Sequence, residues 1–174
     1  DQMKEEFDIR MLRREERMAV RGAIEEMPLD LDAKTFLKTM IAELSFCRKY
    51  GQRRSNEQCE EGCHYTGYMC HRIKNCISNR FPVSAWSYAR SLAWLTGDKT
   101  VGIDHLKAIL PYTLAHRVQW RDDYISSKQT NIREDSLQIH MAREMVREIS
   151  RRYNEQSGHI QAALATAYQI LSGN

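Results

Sequence analysis

SNRFPVSAWSYARSLAWLTG (78–97), followed by DKTVGIDHLKAILPYTLAHR (98–117), is the stretch on which the fold turns. After Pro82, apolar side chains recur every three or four positions at Val83, Trp86, Ala89, Ala93 and Trp94, with Arg90 among them. That period predicts a helix, because positions so spaced share one face of a 3.6-residue turn. Gly97 ends it, as a residue that accepts the left-handed conformation of a helix C-cap. A short link, Asp98 to Gly102, contains Val101. Leu106, Ile109, Leu110, Leu114 and Val118 then predict a second helix, which Pro111 should kink or divide because it has no N–H to donate.

Working outward, Ala33, Phe36, Leu37, Met40, Ile41, Leu44 and Cys47 predict another helix, capped by Asp30 or Asp32 and stopped at Gly51. Met3 to Met27 has roughly helical spacing, although the alternation from Phe7 to Met11 would also suit a short strand. Downstream, residues 119–131 read as a polar loop. Leu137, Met141, Met145, Ile149 and Tyr153 step by four and mark a long amphipathic helix. Gly158 should separate it from a last helix carrying Ile160, Ala163, Leu164, Ala167 and Leu171.

The expected class is therefore all-α, a helical bundle with a cysteine-bearing loop insertion. Its segments are 1–51, with the N-terminal helices; 52–77, the insertion; 78–118, the central helices; and 119–174, a helical extension. Eight glycines and three prolines in 174 residues are too few for the tight turns of an all-β fold. The net charge of +3 is mild for a dedicated nucleic-acid binder. No apolar run approaches the roughly 18 residues of a membrane span, and the first residues show no signal-peptide pattern. The expected location is the cytoplasm. Because Asp1 is not a start methionine, an excised or processed chain is expected.

An independent catalyst is not expected. No glycine-rich loop ends in Gly-Lys-Ser/Thr, and no apolar strand ends in acidic residues to hold magnesium. Neither Gly-x-Ser-x-Gly nor His-Glu-x-x-His occurs.

The residues Ser78-Asn79-Arg80, Tyr88 to Leu95, Gly97, Val101, Asp104-His105-Leu106, Ile109-Leu110-Pro111 and His116-Arg117 together resemble the C-terminal helical lid of MoxR-type AAA+ ATPases. In that family a Ser-Pro-Arg segment opens an Ala- and Arg-rich helix that ends at a Gly. A Val and an acidic residue introduce the next helix, which ends in His-Arg. Two departures stand out: Asn79 replaces the Pro, and the cysteine insertion is not a general family feature. The resemblance implies a parent enzyme using ATP and magnesium to remodel or mature a partner complex. It implies contacts with an AAA+ core domain, with neighbouring ring subunits and with a von Willebrand factor A domain protein. It also implies that Arg80 faces the γ-phosphate, a role suited to a guanidinium, which stays charged and grips oxygens in pairs.

Three further groups carry expectations. Trp86 and Trp94 read as core, and His116-Arg117 as a helix C-terminal cap or an interface contact. Cys59, Cys63, Cys70 and Cys76 lie close enough to hold structural zinc, or less readily an iron–sulfur cluster, with His64 or His71 as replacement ligands. They would equally serve as plain reduced thiols. The rival to the ATPase reading is a metal-stabilised helical binding module. There Arg48, Lys49, Arg53, Arg54, Arg72 and Lys74 would meet nucleic acid or an acidic protein, with a solvated charged loop as the simpler account.

Overall fold

The computed structural model of the chain describes residues 11–47, 50–54, 67–128 and 134–172. Among them are six helices: α1 (Arg14–Glu26), α2 (Leu31–Ser45), α3 (Arg80–Thr96), α4 (Ile103–Ala115), α5 (Asp122–Lys128) and α6 (Glu134–Leu171). One 3-10 turn (Met69–Arg72) and two short antiparallel strands, β1 (Phe46–Cys47) and β2 (Gln52–Arg53), complete them. The fold is all-α, as expected. The alternation at Phe7–Met11 lies almost wholly outside the described residues.

α2 forms where expected. The Asp30 carboxylate accepts the Asp32 N–H at 3.2 Å and so caps the first turn. Ala33, Phe36, Leu37, Met40 and Leu44 are buried on its inner face. The helix ends earlier than the sequence suggested, at Ser45, and Cys47 lies in β1 instead of on the helical face. Phe46 turns extended and pairs with Arg53, while Cys47 pairs with Gln52. Gly51 therefore serves the hairpin turn, at φ +64°, where a side chain would be strained.

α3 buries Ala89 and Ala93 as their spacing predicted, but its buried face is turned toward Phe81 and Ala85 and away from Val83. Its inner ridge is Phe81, Ala85, Ala89 and Ala93, all fully buried, whereas Val83 is 69% exposed and Trp94 37%. Small side chains at i, i+4 spacing let α3 and α4 approach closely, and the larger residues ride on the flanks. Trp86 is half-buried against the core. Gly97 closes the helix in the left-handed conformation, as expected.

Pro111 is buried inside α4 and does not divide it, since the helix runs from Ile103 to Ala115. At its start, His105 Nδ1 accepts the Gly102 N–H at 3.0 Å, and Nε2 lies 3.0 Å from the Asp98 carboxylate. An imidazole that accepts at Nδ1 must carry its proton at Nε2, so the Asp98 contact is a donated bond. Val101 reaches back to the segment before α2: its N–H donates to Pro28 and its carbonyl accepts from Asp30. Arg90 Nε adds a bond to the Met27 carbonyl at 3.1 Å.

α6 is one helix of 38 residues, not two. Leu137, Met141, Met145, Ile149 and Tyr153 are all buried, as their spacing predicted. Gly158 does not break it, because a glycine costs only about 1 kcal/mol against alanine and its neighbours are mostly good helix formers. After Tyr153 no side chain of α6 is buried. The region 119–131, expected to be a polar loop, contains the short helix α5 and a buried Trp120, which is bridged to Ile73 and stacked on Tyr124.

The buried residues of α2, the 3-10 turn, α3, α4 and α6 form one contiguous core. α1 has no buried residue and lies against α3.

Candidate functional site

Arg80 is the first residue of α3, and it is exposed. No hydrogen bond or ion pair engages its side chain among the described residues. A cation near a helix N-terminus sits against the positive end of the helix dipole. No contact among the described residues offsets that cost. Asn79, at the cap position, has a helical backbone and no side-chain capping bond.

Of the six basic residues of the rival reading, Arg54, Arg72 and Lys74 have partners within the chain. Arg54 is 6% exposed; its guanidinium donates to the Leu44 carbonyl at 3.2 Å and the Ile73 carbonyl at 2.9 Å. It ties the end of α2 to the chain leaving the 3-10 turn and cannot reach an external partner. The Arg72 guanidinium lies 5.3 Å over the Tyr124 ring. Lys74 Nζ donates to both carboxylate oxygens of Asp122 at 2.9 Å. Arg53 is exposed, and Arg48 and Lys49 lie outside the described residues. Hydrophobic spacing could not reveal Arg54, because a buried arginine looks like any other cation in a polar segment.

Of the four candidate metal ligands, Cys59 and Cys63 lie outside the described residues, as does His64. Cys70 is buried in the 3-10 turn. Cys76 is half-buried, and its Sγ donates to the Arg54 carbonyl at 3.0 Å. Among the described residues, no group of three or more His, Cys, Asp or Glu side chains is placed to hold a metal ion.

His116 caps α4 through its backbone and stays exposed. Arg117 is a fastener: its guanidinium donates to Ser84 Oγ at 2.9 Å, and its carbonyl accepts from Asn75 at 2.7 Å. The two ends that Arg117 joins, the start of α3 and the end of α4, are thereby fixed to one another. On the outer side of the same pair lies an apolar cleft of about 340 Å³, lined by Leu92, Leu95, Ile109 and Tyr112 among others, with His116 at its edge.

The carboxylates with the most perturbed surroundings serve the scaffold. Arg151 and Arg152 both bond to Glu148 and hold its carboxyl down at about 2. Burial, then the Asp32 carboxylate that accepts its hydroxyl proton, pushes the Tyr153 phenol up to about 12.

No helix of the described residues is long and apolar enough to cross a membrane. No curated protein and no solved structure matches the chain. A family model does: residues 69–136, from the 3-10 turn through α3, α4 and α5, match the AAA lid domain. The match covers about two fifths of the chain and includes Arg80, and it supports this part of the protein as a helical lid region of an AAA+ ATPase.

Proposed function

We propose that the chain is the lid-bearing part of a MoxR-type AAA+ ATPase, in which Arg80 faces the γ-phosphate of ATP bound by the core domain. The observation that carries this reading is an uncommitted guanidinium at the open N-terminus of α3, within the segment that matches an AAA lid. A lid works by moving as one body over the nucleotide. The closely packed α3–α4 pair, with the Arg117–Ser84 bond across it, supplies that rigidity. Binding at Arg80 would draw the lid toward the phosphate, and loss of the γ-phosphate would release it. The parent would couple that cycle to remodelling or maturing a partner complex, assembled with AAA+ core domains, neighbouring subunits and a von Willebrand factor A domain protein. Magnesium would bind with the nucleotide in the core domain. In the intact parent, Arg80→Ala should cut ATP turnover by about a hundredfold or more, by analogy with the loss of an electrostatic contact to developing charge. Normal turnover by a folded variant would remove Arg80 from the site.

Structural zinc on Cys59, Cys63, Cys70 and Cys76 is a second proposal, concerning stability and not turnover. Close spacing and the burial of Cys70 favour it. The Cys76 thiol, spent as a donor to a carbonyl, would have to lose its proton and turn toward the metal.

A further inference from the structure

Beside the start of α3 lies a cavity of about 140 Å³. Its polar lining is Ser45, Arg53, Ser78 and Asn79, and Ile41 and Ile77 are among its apolar walls. Ser45 is 4% exposed, and its hydroxyl has no hydrogen-bond partner. Buried hydroxyls are nearly always satisfied, so an orphan on a cavity wall points to a missing group. The side chains of Arg53, Ser78 and Asn79 are likewise uncommitted among the described residues. The lining holds one arginine and no carboxylate. The N-terminus of a seventeen-residue helix, uncapped by any side chain, adds its own positive field at the same place.

The hairpin explains how Arg53 comes to be there. Arg53 pairs with Phe46, next to Ser45, and the Arg54 N–H donates to the Ser45 carbonyl at 2.9 Å. Successive side chains of a strand point to opposite sides. Arg54 points inward to the Leu44 and Ile73 carbonyls, which sends Arg53 outward along the cavity edge. Neither Ser45 nor Arg53 belongs to the segment that matches the AAA lid.

We propose that this cavity is an oxyanion site for a phosphate group, in which Arg53 supplies the cation and Ser45 donates the bond that its hydroxyl now lacks. The site deepens the reading of Arg80 and rests on it for the choice of a nucleotide phosphate. Arg53 is then a binding residue contributed by the hairpin at the start of the insertion.

The test is titration of the 174-residue protein at low ionic strength with pyrophosphate and with ATP, followed by backbone amide shifts and by calorimetry. Shifts at Ser45, Arg53, Ser78 and Asn79 should saturate together. Arg53→Ala should weaken binding about tenfold, the scale of one charge-assisted hydrogen bond, and Ser45→Ala a fewfold. Tighter binding of ATP than of pyrophosphate assigns the nucleotide, and equal binding assigns the phosphate alone. If Arg80→Ala weakens binding and Arg53→Ala does not, the cavity proposal fails while the reading of Arg80 stands. If only Arg53→Ala weakens binding, the cavity stands and Arg80 loses its phosphate role. No shift at these four residues overturns the proposal.

Discussion

Replacing Arg54 by Met separates two accounts of the basic hairpin. The methionine keeps most of the apolar stem, so little volume is lost. What goes is the guanidinium, with its bonds to the Leu44 and Ile73 carbonyls at 3.2 and 2.9 Å. A hydrogen bond to a charged group contributes about 1.5–3 kcal/mol. Two such bonds give about 3–6 kcal/mol, offset in part because a buried charge no longer has to be desolvated. A net loss of about 2–4 kcal/mol follows. In a domain of this size each kcal/mol lowers Tm by roughly 2–4 °C, so the variant should melt about 5–15 °C lower. Urea denaturation followed by circular dichroism measures the loss directly, with Arg53→Met as the exposed control that should change stability by no more than about 0.5 kcal/mol. A variant within about 0.5 kcal/mol of the parent protein would refute the claim that Arg54 fastens α2 to the chain after the 3-10 turn.

Ala89→Leu should destabilise by about 1–3 kcal/mol through overpacking between α3 and its neighbours, read by the same urea titration; an unchanged midpoint would mean that the ridge has room. Acid should remove the contribution of the Glu148 carboxylate, whose pKa falls to about 2 in the folded chain. That contribution is present above roughly pH 4.5 and lost as pH falls toward about 2, and Glu148→Gln should flatten the acid limb of a stability–pH curve. Tyr153 acts in the opposite direction: its raised pKa makes its contribution full below roughly pH 10 and lost as pH climbs toward about 12. Tyr153→Phe should abolish that alkaline limb and cost about 1–2 kcal/mol at neutral pH. Elemental analysis of protein purified under reducing conditions should find about one equivalent of zinc if the four cysteines bind it; metal-free folded protein with reactive Cys59 and Cys63 would end the zinc proposal.

The helices with large side chains on one face were legible from spacing alone. The inner face of α2 and the five-residue stripe of α6 are buried where periodicity put them. α3 was legible as a helix but only partly in its orientation. Of its buried face, Ala89 and Ala93 were on the predicted stripe, but Phe81 and Ala85 were not, and hydrophobic bulk drew attention to Val83 and Trp94. Trp120 and Arg54 were out of reach for a different reason. Each sits in a polar segment; Trp120 is bridged to Ile73 from before α3, and Arg54 is held by carbonyls on the end of α2 and after the 3-10 turn. Of the candidate site, Arg80 was proposed from the motif, whose Ser-Pro-Arg opens a helix, and it does open α3. The neighbouring cavity was not, since Ser45 and Arg53 meet Asn79 only after the hairpin forms.

The continuity of α6 has a consequence for its dynamics. At 1.5 Å per residue its 38 residues span roughly 57 Å, whereas a compact sphere of this chain length is only about 40 Å across. The helix outruns the core that stabilises it. Its first part is fixed by Met141, Met145 and Ile149, but from Asn154 onward it rests on partly buried Ile160, on single bonds from Gln161 to Asp32 and from Lys38 to Tyr168, and on the intrinsic preference of residues such as Ala162, Ala163, Ala165 and Ala167. Isolated helical stretches of that length are marginal in water. One uninterrupted helix should therefore show two regimes of amide hydrogen exchange: protection close to that of global unfolding around Ile149, decaying past Gly158 to rapid exchange near Leu171.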